Sequence, residues 1–115
     1  MLRGREVRVI LKGQAIDSYL DLKKRDAKEA RAILSSFERI KEILKQNPQF
    51  GDPIAKKLIP RAYVNDGITN LYRVELSNFW RMIYTLTGNE IEVIAFVLNI
   101  FDHQSYDQLF GYRRR

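Results

Sequence analysis

A chain of 115 residues with 45% hydrophobic and 30% charged side chains has the size and composition of one packed domain rather than of a disordered segment. It has no cysteine and one histidine, which excludes disulfides and thiolate metal sites and argues against any bound metal or cofactor, and no apolar run is long enough to cross a bilayer. Twenty basic residues against 14 acidic ones leave a net charge of +6, which fits a partner rich in phosphate or carboxylate. Residues 1–6 are charged and lack the apolar centre of a secretory signal, so a cytoplasmic location is expected.

In chain order, the β-branched run over residues 7–11 predicts a first strand. After Gly13 a helical pattern follows, with Ile16, Tyr19 and Leu20 sharing a face. Lys23, Lys24 and Arg25 close it, where cations suit the negative end of the helix dipole. Asp26 and Glu29 form a capping-box-like start for a second helix. Ala30, Ile33, Leu34, Phe37, Ile40 and Leu44 recur along it at helical spacing, with charged residues on the outer face. Asn47 and Pro48 end it, and the two helices are expected to pair as an antiparallel hairpin. The connector over 49–70 is too long for a structureless loop and should hold a helical turn or a short strand. Strands are predicted over 71–76, 80–86 and 90–100, with Thr87, Gly88 and Asn89 as the second turn, then a short helix over 102–110 and fraying terminal arginines. The fold class is α+β: an N-terminal strand, a helical hairpin and a three-stranded antiparallel meander completing a four-stranded sheet, closed by a short C-terminal helix, in a single domain spanning 1–115. The last strand is apolar at almost every position and is expected to be central, with the first strand beside it.

The first hairpin turn decides where the arginines point. A two-residue turn at Ser77 and Asn78 would set Arg81 opposite Val74, among apolar neighbours. A three-residue turn through Phe79 pairs Leu76 with Trp80 instead. Tyr72, Val74, Leu76, Trp80, Met82 and Tyr84 then form one apolar face, and Arg73, Glu75, Arg81 and Thr85 share the other. A one-residue slip would forfeit a whole buried face, so the second register is expected. Cations on that face, with His103 and the tyrosines Tyr106 and Tyr112 just beyond the sheet, point to a phosphate-bearing partner. Each residue also has a plainer explanation. Arg73, Glu75 and Arg81 suit a salt-bridged solvent face, His103 a helix cap, Tyr106 with Phe110 a docked tail, and Lys56 with Lys57 a solvated pair.

The order of elements resembles the RelE/ParE superfamily of toxins from type II toxin–antitoxin systems over nearly the whole chain. The run Tyr72 to Leu76, the run Trp80 to Tyr84, and the ending Asp102-His103-Gln104-Ser105-Tyr106 with Phe110-Gly111-Tyr112 carry that resemblance. Gly51-Asp52-Pro53 through Leu58 is similar to the family's linker. The resemblance implies a ribosome-dependent mRNA endoribonuclease that uses no metal, with a cognate antitoxin as partner and an oligomer formed with it. The alternative is a ParE-like gyrase-inhibiting toxin or an inactive module that binds antitoxin or nucleic acid. By the same resemblance Arg81 meets the scissile phosphate, Arg73 supports it, and His103 and Tyr106 fall where the family keeps C-terminal catalytic side chains. Glu75 is a candidate base, and Lys56, Lys57, Arg61, Tyr112 and Arg113 are candidate RNA contacts. Some relatives carry a glutamate in the linker, but no acidic residue lies between Pro53 and Arg61 here. Metal-free RNA cleavage needs a proton acceptor, a proton donor and cations around the phosphorane. Histidine is the side chain that ordinarily titrates near neutrality, and arginine grips phosphate in bidentate fashion.

Overall fold

The computed structural model describes residues 6–89 and 91–111. In chain order the elements are β1 (Glu6–Leu11), α1 (Gln14–Lys24), α2 (Lys28–Gln46), β2 (Asp52–Pro53), α3 (Arg61–Asn65), β3 (Tyr72–Glu75), β4 (Trp80–Gly88), β5 (Glu92–Asp102) and α4 (His103–Leu109). The architecture is α+β, but the sheet is mixed and has five strands, in the order β1-β5-β4-β3-β2. The expected fourfold sheet therefore gains β2, which pairs antiparallel with β3. Its two residues are too few to show any alternation. Pro53 fits there because β2 is an edge strand, where a missing N–H costs no ladder bond. β1 lies beside β5 as expected and runs parallel to it, since the α1–α2 hairpin carries the chain across before β5 returns.

α1 and α2 cover one face of the sheet. Ala30, Ile33, Phe37, Ile40 and Leu44 of α2 pack on Val74, Leu76, Met82, Tyr84, Ala95, Val97 and Ile100. On α1 the inward stripe is Ala15 and Leu22, both buried, with Tyr19 partly buried beside them, whereas Ile16 and Leu20 stay 44% and 50% exposed. Both stripes obey helical spacing; the small Ala15 lets α1 approach β5, which a pattern of large apolar residues does not reveal. α2 also starts later than expected. Its N-cap is Ala27, with no side-chain cap, and the Asp26 carboxylate instead pairs with Arg31 at 3.2 Å. The hairpin is clasped at Glu38, which accepts from the Tyr19 hydroxyl at 3.3 Å and meets Lys41 at 2.8 Å. Lys41 beside it holds the Glu38 carboxyl below the usual range.

The opposite face carries a second, smaller core of Ile59, Leu71, Ile83, Phe101 and Tyr106. A bulge divides the strands between the two cores: Ile83 pairs with Asn99, but Tyr84 pairs with Val97. The extra residue on β5 keeps both Val97 and Ile100 under the helices and turns Ile83 and Phe101 the other way.

The β3–β4 hairpin has the three-residue turn. The Leu76 N–H donates to Trp80 O at 2.7 Å, and Glu75 lies opposite Arg81. Asn78 and Phe79 both take positive φ, at 60° and 61°. Asparagine tolerates that region, but phenylalanine pays about 1–2 kcal/mol for it. α2 holds the turn in place: Ser77 N–H donates to Ser36 Oγ at 3.1 Å and Asn78 Nδ2 to Glu29 Oε2 at 3.2 Å.

Behind β4, Tyr84 ties the connector to the sheet. Its hydroxyl donates to Pro48 O at 2.7 Å and accepts from Gly51 N at 2.9 Å, and its ring stacks on Tyr72 at 5.2 Å. A Cβ on Gly51 would sit 2.9 Å from that hydroxyl and 3.0 Å from Arg73 O. Gly51→Ala is therefore expected to cost about 1–3 kcal/mol in a urea titration, because the locked phenol cannot retreat. Burial pushes the Tyr84 phenol up to about 12 from an ordinary 10.0. Between those pH values the folded chain holds a proton that the unfolded chain has lost, so stability falls as pH rises through the window. Tyr84→Phe should flatten that alkaline decline in thermal melts, while costing about 1–3 kcal/mol at neutral pH by stranding the Gly51 N–H.

Candidate functional site

The non-helical face of the β3–β4 hairpin presents Arg73, Glu75 and Arg81, with α4 lying across it. Asp102 caps α4 through a 2.8 Å bond from the Ser105 N–H, so the capping role that was open for His103 belongs to its neighbour. Capping fixes the helix start and therefore the direction of every α4 side chain.

Tyr106 is the centre of the arrangement. The Arg81 guanidinium lies 4.6 Å from its ring centroid, and Arg73 Nη1 donates to its hydroxyl at 3.2 Å. Two cations thus converge on one phenol, one at its face and one at its oxygen. Phe110 packs at 4.5 Å and Phe101 meets it edge-on at 5.7 Å. The ring is 1% exposed, so Tyr106 is not open for a base to stack on it; Arg81 and the two phenylalanines occupy its surroundings. Arg81 also approaches Glu75 at 3.6 Å, where the carboxylate is 77% exposed and the guanidinium 23%. An ion pair so open to water adds little stability, but it keeps a carboxylate beside the cation.

The other residues singled out by sequence are distributed around this centre. His103 is exposed, one turn before Tyr106 on α4. Its ring meets Phe79 edge-on at 6.2 Å. Lys56 and Lys57 lie in a short 3-10 turn, Lys56–Leu58, and Arg61 opens α3; all three are exposed. Their segment is anchored on the site's face through Ile59, which is buried with Tyr106 and Ile83. Tyr112 and Arg113 lie outside the described residues.

Two residues were not singled out by the sequence reading. Asp52 pairs with Arg73 across β2 and β3, and directly opposed residues share a face. It supplies a carboxylate on the connector side of Arg73, one residue before the stretch that lacks acidic groups. Phe79 is the other. It is 80% exposed, in a backbone conformation that large side chains avoid. Its position in the turn was legible; its strain was not. Among the described residues no group of three or more His, Asp or Glu side chains is arranged to hold a metal, and no helix is long and apolar enough to cross a membrane.

A helical hairpin across one face of a mixed sheet, with a short C-terminal helix on the other, gives a fold that structure comparison finds to be RelE-like. One solved structure that it resembles is the toxin RelE of E. coli, an arginine-to-alanine double mutant in the free state. The chain matches it with a TM-score of 0.53 over 93% of both chains, at 11% sequence identity. At that identity the likeness is one of fold. No family model matches the sequence, and comparison with curated proteins gives no match.

The layered packing around Tyr106 separates two contributions. Tyr106→Phe should cost about 0.5–1.5 kcal/mol, the value of the Arg73 hydrogen bond. Tyr106→Ala should cost about 3–5 kcal/mol by emptying the small core. Urea titrations of the two variants check the gap between them.

Proposed function

We propose that this protein is the toxin of a toxin–antitoxin pair, acting as an endoribonuclease on mRNA at the ribosome. The observation that carries the reading is the convergence of Arg73 and Arg81 on Tyr106, on the face opposite the helices. The RelE-like fold and the net charge of +6 support it.

In this reading the 2′-hydroxyl of the substrate attacks the adjacent phosphorus. The O2′–P bond forms as the P–O5′ bond breaks, leaving a cyclic phosphate and a free 5′-hydroxyl. Arg81 meets the phosphate oxygens and stabilises the added charge, most strongly in the transition state. Arg73 supports it from the neighbouring strand. Glu75 or Asp52 takes the 2′-hydroxyl proton, and His103 returns one to the leaving 5′-oxygen. Tyr106, buried beneath the arginines, orients them rather than meeting the substrate. Lys56, Lys57, Arg61, Tyr112 and Arg113 contribute to binding the RNA backbone. The partner that silences such a toxin is a cognate antitoxin, bound in an oligomer with it in the cytoplasm.

A second reading also has an observation behind it. Arg81 already touches a carboxylate and an aromatic ring, which a binding module without nuclease activity, or a gyrase-directed toxin, would tolerate. The two separate cleanly. For the nuclease, induced expression should arrest growth and produce new transcript ends within translated reading frames. Arg81→Ala should lower cleavage by about 10²–10³-fold, the usual effect of removing one such donor. With transcripts intact, growth arrest that persists in Arg81→Ala would establish the gyrase-directed version of the second reading, and no arrest by the wild type would establish the binding module.

A further inference from the structure

The hairpin tip carries a feature that the fold does not require. Phe79 stands at φ 61°, directly after Asn78 at φ 60°. Glycine or asparagine would adopt that backbone without penalty. The phenylalanine recovers little by packing: it is 80% exposed, and the ring it meets is the exposed His103 at 6.2 Å and 69°. The backbone beneath it is firmly held, through Ser77 to Ser36 and Asn78 to Glu29. A strained residue on a clamped turn, presenting a bare aromatic face, is built to meet something outside the chain.

The neighbourhood selects what that is. His103 lies one turn before Tyr106 on α4, and Tyr106 carries both arginines. Phe79, His103, Tyr106 and Arg81 therefore follow one another along a single face. A flat apolar ring beside an imidazole, a short step from two guanidiniums, matches a nucleotide: base on the ring, phosphate on the arginines. A protein partner would call for a wider apolar patch. The other large exposed apolar side chains are scattered, among them Ile16 and Leu20 on α1, Leu58 in the 3-10 turn and Val64 on α3, and each is less exposed than Phe79.

We propose that Phe79 is the stacking platform for an unpaired base of single-stranded RNA, with the His103 imidazole at its edge. Phe79 thereby positions the nucleotide whose phosphate meets Arg81. The proposal rests on the ribonuclease reading above and adds to it the residue that holds the base.

The test compares two short single-stranded RNAs of one sequence, blocked against cleavage by 2′-O-methyl groups. One carries a fluorescent purine at a central position and the other an abasic site there. Base stacking on an aromatic side chain makes the purine RNA bind about 5- to 150-fold more tightly than the abasic one. Phe79→Gly should bring that ratio close to one, and Phe79→Tyr should keep it. Because glycine suits the left-handed turn, Phe79→Gly folds at least as well as the wild type, and a thermal melt verifies this. Arg81→Ala should weaken both RNAs alike and leave the ratio intact. An unchanged ratio in Phe79→Gly overturns the proposal while leaving the ribonuclease reading standing. So does a Phe79→Gly variant that keeps the ratio but no longer binds its co-expressed antitoxin, since the ring is then a protein contact. Absence of any RNA binding by the wild type, with Arg81→Ala indistinguishable from it, removes the underlying reading together with the proposal.

Discussion

The register of the β3–β4 hairpin is the constraint on which the site depends. With three residues in the turn, Glu75 and Arg81 oppose each other and face away from the helices. With two, Arg81 would point into the core beside Val74, and an unpaired guanidinium there is far costlier than any turn strain. The chain therefore accepts left-handed backbone at Asn78 and Phe79. α2 then reinforces the choice from outside the hairpin, through Ser36 and Glu29. The helix that fills the large core thus also fixes which way the arginines point.

A correct register places the two cations on one face, but it does not orient them. That is done by Tyr106, which reaches them from α4. Because the ring is buried between Phe101, Phe110 and Arg81, it is as rigid as the core below it. The guanidiniums that rest on it have already lost much of their rotamer freedom. Ordering a long side chain on binding costs about 0.5–1.5 kcal/mol, and here part of that cost is met during folding. The second core on this face is small, yet it decides the geometry of the site.

Legibility from sequence followed the size of the physical stake. The alternation along β3 and β4 was readable because a slip exposes an entire apolar face, so both the register and the arginine face could be derived. The helical hairpin was readable from the stripe on α2. What escaped was decided by single residues. β2 is too short for any period, and Ala15 sets the α1 face by being small rather than apolar. Asp26 reads as a cap but pairs with Arg31 instead. The second core draws Ile59, Leu71, Ile83, Phe101 and Tyr106 from separate segments, one or two at a time, so no window along the chain reveals it. Tyr106 stood out in the sequence only as a candidate, its burial against Phe101, Phe110 and Arg81 was not legible, and the strain at Phe79 lies in a dihedral angle that residue patterns do not encode.

The connector brings these scales together. It is tied at its start by Gly51 to Tyr84, then by the Ile54 N–H to Leu71 O at 2.8 Å, and further on by Ile59 in the small core. Between and just beyond those ties, Lys56, Lys57 and Arg61 stand in solvent. Cations exposed in this way are screened at close range and bind weakly one by one. Grouped cations of this kind act chiefly through their summed field rather than through single contacts. The half-buried Arg81 behaves differently, since its charge is less screened and its direction is set by Tyr106. Fully exposed and half-buried cations thus stand on different elements, and the ties of the connector to Tyr84, Leu71 and the small core hold the first group in place.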